Sequence, residues 1–217
     1  MYYILSIDLG KRNLGWSLFK QLEDKTIELD SFGIFDIDNE IQTQTVTVTK
    51  QLKTTTKTVQ VKRFKDTQTV IARPTVLVEF LESLRERIND DFYKVIVEKQ
   101  NINNPLAMTL QTVIITYCIT RLIEVTSFDP KVKFDNASKM FASAKSAGIT
   151  NINQLNTTKK EHKKLIVDMA REVIENYSKD EKQREFFVEQ FNQHNKKDDI
   201  SDSLVQAVVY LRKNECM

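Results

Sequence analysis

A chain of 217 residues is long enough for one domain with a sizeable core and leaves room for little more than a small insertion. Its hydrophobic fraction of 41% and charged fraction of 29% read as a globular chain, neither a disordered nor a membrane-embedded one. The formal net charge is only +2, which excludes a uniformly basic coat, so any contact with nucleic acid has to come from local patches.

Residues Tyr2 to Ile7 are a short, β-rich apolar run and predict a buried strand. No secretory leader pattern precedes them, and no run of about 18 uninterrupted apolar residues occurs anywhere. The expected setting is therefore off the membrane and inside the cell: cytoplasm, nucleus or a viral replication site. Gly10 to Gly15 holds a turn. Trp16 to Lys20 reads as a second strand and Thr26 to Ile37 as a third, so two tight connections predict an antiparallel meander. From about 42 to 71, Thr, Gln, Lys and Val dominate. Alternation in Thr45-Val46-Thr47-Val48-Thr49 and Thr58-Val59-Gln60-Val61-Lys62 favours an inserted β-hairpin over a polar linker.

Pro74 then opens a helix at its first turn, with Leu77, Phe80, Leu81, Leu84 and Ile88 at helical spacing. Lys94 to Val97 is a strand ending on Glu98. Pro105 to Val125 predicts a long helix whose apolar residues, among them Leu110, Ile114, Ile119 and Leu122, cover more than one face. Lys131 to Phe134 reads as a short strand. Helices follow at Thr157 to Tyr177, Lys182 to Asn192, and Asp199 to about Arg212. Neither Cys118 nor Cys216 belongs to a C-x-x-C pair, so zinc and disulfide frameworks are not expected. The order of elements is that of a single ribonuclease H-like α/β domain over 1–217: a mixed sheet flanked by helices, carrying the hairpin as an insertion.

Four acids stand out by where they fall. Asp8 and Glu98 each follow an apolar strand directly, where a lone carboxylate is costly to desolvate and where α/β sheets commonly place their sites. Asp199 and Asp202, three residues apart near a helix start, share one helix face and repel unless a cation lies between them. Hard oxygen donors of this kind suit Mg²⁺ or Mn²⁺. Any one of the four has a structural alternative as a cap, a turn residue or a lysine partner. Asp198 is expected to cap the last helix, leaving Asp199 free to bind.

At these positions the chain resembles Holliday junction resolvases of the RuvC-like group, especially the poxvirus type. The matching stretches are Ser6-Ile7-Asp8-Leu9-Gly10 with Asn13, Val97-Glu98-Lys99-Gln100, and Lys197-Asp198-Asp199-Ile200-Ser201-Asp202-Ser203. They run from one end of the chain to the other in the family's order, and the last is the most specific. The resemblance implies Asp8, Glu98, Asp199 and Asp202 as ligands of two Mg²⁺ ions per site, with Mn²⁺ able to substitute. It also implies a catalytic lysine before the third major helix, here Lys163 or Lys164. The mechanism expected is two-metal phosphodiester hydrolysis with ions about 4 Å apart, leaving a 5′ phosphate and a 3′ hydroxyl. The Thr/Lys-rich insertion departs from the compact family pattern.

Basic residues cluster at Lys11 and Arg12, at Lys50, Lys53, Lys57, Lys62, Arg63 and Lys65, and at Lys159 and Lys160. Such runs are ordinarily a solvated face; read functionally they meet phosphates and release counterions, and their interleaving with Thr and Val favours backbone and shape recognition over base stacking. Lone His162 reads as a polar surface group. The Asp-Leu-Gly turn also occurs in actin-like ATPases and sugar kinases, but Gly33 and Gly148 make no second such turn. The expected partners are a four-way DNA junction and a second copy of the chain, with no membrane and no small-molecule cofactor. The apolar helix from Pro105 supplies a dimer face. A nuclease of RNA or RNA–DNA hybrid and a non-cutting DNA scaffold are the alternatives.

Overall fold

The computed structural model describes residues 2–10, 13–38, 66–88, 92–135, 137–147 and 159–214. Three strands come first: β1 (Tyr2–Leu9), β2 (Asn13–Gln21) and β3 (Ile27–Asp36). Helix α1 (Asp66–Ile88) leads to β4 (Phe92–Glu98), α2 (Pro105–Thr120) and β5 (Glu124–Phe128). Short helical turns α3 (Val132–Asp135), α4 (Ala137–Met140) and α5 (Ala142–Ser146) follow, then α6 (Lys159–Tyr177), α7 (Glu181–Gln193) and α8 (Lys197–Asn214).

The strands form one mixed sheet in the order β3-β2-β1-β4-β5, the first three antiparallel and β1, β4 and β5 parallel. Both faces are covered. Leu5, Ile7, Val95 and Val97 pack against Leu77, Leu81 and Leu84 of α1 and Leu110 and Ile114 of α2. Ile4 and Ile96 face the other way, toward α6, α7 and α8, through Val173, Phe187, Leu204 and Val208. Burial on both sides explains why β1 and β4 read as continuous apolar runs rather than alternating ones. The ribonuclease H-like mixed sheet expected from the element order is the one observed.

The second strand starts at Asn13, so Asn13 to Gly15, expected in a turn, pair with β1 and β3, and three larger differences from the sequence reading follow. Asp66 to Ile71, assigned to the β-rich insertion, are helical, so Pro74 lies inside α1 instead of opening it. The apolar face that signals a helix begins only at Leu77, and proline is most at home in a first turn, so the upstream Thr/Gln-rich part carried no helical pattern. Residues 42–65, with the proposed hairpin, lie outside the described residues.

The second difference is the end of α2. It stops at Thr120, not Val125, because Leu122 takes a left-handed conformation with φ 58°. The Leu122 N–H then donates to the Ile119 carbonyl at 3.1 Å and the Ile123 N–H to that of Cys118 at 2.9 Å, closing the helix with a Schellman motif. Glycine is the usual residue there, so nothing in the sequence marked the stop. The last parallel strand is therefore Glu124–Phe128, and the strand expected at Lys131 to Phe134 is instead the turn α3.

The third difference concerns α8, which begins at Lys197, so Asp198 lies within its first turn and is not a cap. That helix is sandwiched between the sheet and α6, and Ile200 and Leu204 to Leu211 are buried. Its first turn rests directly on β2 at Gly15: a Cβ there would stand 1.9 Å from the Asp199 carbonyl oxygen. Only glycine admits that approach, which sets the start of α8 beside the carboxyl ends of β1 and β4.

Candidate active site

Ile7 pairs with Val97 in the parallel register of β1 and β4, so Asp8 and Glu98, the next residues, leave the sheet side by side. Asp202 reaches the same point from α8. A residue that the sequence reading did not select joins them. Lys133 of α3 is 2% exposed, and its Nζ lies 2.9 Å from Asp202 Oδ1 and 4.0 Å from Asp8 Oδ1 while also pairing with Glu98. Two main-chain bonds, from Val132 N–H to the Asp129 carbonyl at 3.0 Å and from Lys133 N–H to that of Pro130 at 3.3 Å, turn the chain after β5 and bring Lys133 inward. The only trace of this in the sequence is Asp129-Pro130, a turn signal, followed by a lysine between Val132 and Phe134.

Among the described residues, one ammonium faces three carboxylates. The pKa values reflect that imbalance. Burial raises Asp8 well above the ordinary carboxylate range; Lys133 pulls it down, and Asp202 and Glu98 push it up. Burial also raises Asp202, against the opposing pull of Lys133. For Lys133 burial disfavours the charge, yet Asp202, Asp8 and Glu98 together outweigh it and the ammonium is held above its usual value.

Asp199 stands one turn from Asp202 on α8 and is half-buried. Burial and neighbouring Asp198 raise its pKa, while Lys196 and a hydrogen bond from the Asn13 side chain lower it. Asp198 pairs with Lys163 of α6. That bond is the largest reason the Lys163 pKa is raised, with Asp199 and Asp202 adding to it. Of the two candidate lysines Lys163 thus lies at the acidic rim, whereas Lys164 is exposed further along α6. Lys160 is exposed on the same helix. The side chain of Lys159 and all of Lys11, Arg12, Lys50, Lys53, Lys57, Lys62, Arg63 and Lys65 lie outside the described residues. His162 is half-buried, not a surface group.

The loop beyond Glu98 is tied down by buried Gln111 of α2. Its Oε1 accepts from the Gln100 N–H at 3.2 Å and its Nε2 donates to Ser127 Oγ at 3.0 Å. The Lys99 N–H donates to the Phe128 carbonyl at 2.8 Å. Among the described residues no group of three or more His, Cys, Asp or Glu side chains is gathered closely enough to hold a metal ion directly, the carboxylates being spread around Lys133.

The architecture defines the chain as an α/β protein with a ribonuclease H-like sheet. More narrowly, solved structures show that it has the fold of RuvC-type resolvases. It is similar to the Fowlpox virus resolvase, solved with Holliday junction DNA, with a TM-score of 0.57 and 16% identity over 97% of this chain and 97% of that one. It is similar to the yeast mitochondrial Holliday junction resolvase, with a TM-score of 0.55 and 18% identity over 96% of this chain and 77% of that one. To RuvC of Thermus thermophilus the TM-score is 0.53, with 10% identity over 97% and 96% of the two chains. No protein-family model matches the chain, and no curated relative matches its sequence. No helix among the described residues is long and apolar enough to cross a membrane.

Proposed function

We propose that this chain is a divalent-metal-dependent endonuclease that resolves four-way DNA junctions. The observation that carries the reading is the convergence of Asp8, Glu98 and Asp202 from three elements on one point at the sheet's carboxyl edge, three carboxyl groups around one ammonium among the described residues. A buried carboxylate excess is costly unless a cation meets it. All four acids are hard oxygen donors, the chemistry Mg²⁺ and Mn²⁺ prefer. The donor chemistry therefore fits the metal the fold implies, with the carboxylates, now spread around Lys133, drawn together on the ion. Asp8, Glu98 and Asp202 would hold it, with Asp199 one turn away completing the donor set.

Divalent ions held there would supply Lewis-acid activation of water and of the leaving 3′ oxygen, the chemistry that leaves a 5′ phosphate and a 3′ hydroxyl. The chain's own groups do the rest. Lys133 holds an ammonium against the three carboxylates and offsets part of their mutual repulsion. Lys163 presents a second one at the rim. Asn13 orients Asp199 by its hydrogen bond, and Gly15 lets α8 approach closely enough for Asp202 to reach the strand ends. The branched DNA bound by the fowlpox and Thermus proteins is the substrate form proposed here, taken up by a homodimer.

The test is cleavage in Mg²⁺ of a mobile four-way junction, a linear duplex and an RNA–DNA hybrid. Junctions are expected to be cut and the other two spared. Asp8→Asn and Asp202→Asn are each expected to lower the junction rate at least ~10²-fold while junction binding survives. Asp198→Asn is expected to be much milder. Near-normal turnover in both variants would remove the metal assignment, and preferential cutting of the hybrid would move the substrate to RNA.

A further inference from the structure

One turn beyond Asp202 on the same face of α8 lies Gln206, fully buried. Its Nε2 donates to Ser6 Oγ at 3.1 Å, to the Ile7 carbonyl at 3.2 Å and to the Ile96 carbonyl at 3.3 Å. Two protons are thus shared among three acceptors on two strands. The acceptors are well placed: Ile7 immediately precedes Asp8, and Ile96 is two residues before Glu98. A single side chain thereby ties the helix that carries Asp202 to both strands that carry the other carboxylates, directly behind the site.

The cost of this arrangement is visible. Among the described residues, Gln206 Oε1 has no hydrogen-bond partner, and neither has buried Ser17 Oγ, on the residue that pairs across the strands with Ser6. An amide with an unmet oxygen in an apolar core is a weak stabiliser, because the cost of burying that oxygen offsets part of what its N–H bonds contribute. The neighbouring buried positions of α8 are indeed apolar: Leu204, Val205, Ala207 and Val208. Stability gives little reason for glutamine at this point, but geometry does. Groups behind metal ligands fix ligand orientation, and their loss typically weakens metal affinity by about 10–100-fold.

We propose that Gln206 is a positioning residue, holding Asp202 against Asp8 and Glu98 so that the three carboxylates meet a divalent ion in register. The inference rests on the metal-dependent reading above. It acts through the carboxylates and not on DNA, so it should alter metal uptake and turnover while leaving junction affinity alone.

The experiment is thermal denaturation of the full chain against Mn²⁺ concentration, native and Gln206→Met, with junction cleavage measured in parallel. In EDTA the variant is expected to melt somewhat below the native protein, since Ser6 Oγ loses its donor, and the metal effect is read from the Mn²⁺ midpoint relative to each protein's own EDTA melt. Its Mn²⁺ midpoint for stabilisation should rise about tenfold. Its kcat should fall, and its KM for the junction should stay the same. Should Gln206→Met not fold, Gln206→Asn carries the same test, because it keeps the amide on a stem one methylene too short to reach both strands. Equal Mn²⁺ midpoints in native and variant would overturn the role of Gln206 and leave the metal reading standing. No stabilisation of the native protein by Mn²⁺ would overturn that reading, and the inference with it.

Discussion

The residue that most changes the picture of the site is Lys133. As the cation at the centre of three acids it does part of what the proposed divalent ion would do, and the two would compete for the same carboxylates. Asp8 and Asp202 have raised pKa values, so their ionisation works against the fold: that part of the stability is present at low pH and lost as pH rises above the usual carboxylate range. Lys133 softens the loss. Lys133→Met is therefore expected to destabilise the chain in EDTA by up to about 3 kcal/mol at neutral pH, the scale for removing one partner of a buried ion pair. The deficit should shrink toward about pH 4, where the acids take up protons, and on addition of Mg²⁺. Melting curves in EDTA and in Mg²⁺ across that range check it; a deficit independent of both would show that Lys133 contributes packing alone.

At the scale of elements, the junction of α2 and β5 decides where the last parallel strand begins, and with it where Lys133 is delivered. Leu122 holds the left-handed position of the Schellman motif although it is 95% exposed and has a Cβ that this conformation penalises. Leu122→Gly removes the penalty without disturbing any buried contact. It is expected to raise stability by roughly 1 kcal/mol, read as a higher midpoint in urea with an unchanged slope. An unchanged or lower midpoint would mean that the exposed leucine meets something, as it would in a dimer. In the same helix Cys118 is buried and its thiol is pushed up to about 12 by that burial, which leaves it a poor nucleophile.

At the scale of the molecule, two strands of like polarity must be cut to resolve a four-way junction, and the described residues of each chain gather one such cluster of acids. On the function proposed above, a two-fold dimer would supply the second cut. Helix α2 contains no charged residue; Met108, Thr112, Thr116 and Ile119 are exposed, Ile119 at 62%. Light scattering is expected to report twice the 25.3 kDa chain mass, and a cruciform-bearing supercoiled plasmid should yield mainly linear product. A monomer giving only nicked circles would leave a general nuclease. The lysines between 42 and 71 belong to the same scale. If Lys50, Lys53, Lys57, Lys62 and Lys65 meet phosphates, replacing them with alanine should flatten the salt dependence of binding. The slope of log K against log salt should fall by about 0.9 for every phosphate left without its lysine, and an unchanged slope would leave the segment without a DNA role.

Much of this molecule follows from local pattern. Apolar runs and their periods set the meander, β4, α6, α7 and α8 within a few residues, and the position of Asp8 and Glu98 at strand ends followed from those runs. The three-residue spacing of Asp199 and Asp202 put them on one helix face before any fold was known. Other features exist only once the chain is folded. The left-handed Leu122 ended α2 against its apolar pattern, since a backbone conformation that usually takes glycine has no signal when a leucine adopts it. Lys133 became part of the site only when the turn after β5 was folded beneath α8, because a lysine between Val132 and Phe134 has no intrinsic preference for burial. Gly15 and Gln206 gained their meaning the same way. The close approach of α8 to β2, and the reach of one amide to two strands, join segments up to 200 residues apart, and no local spacing encodes them.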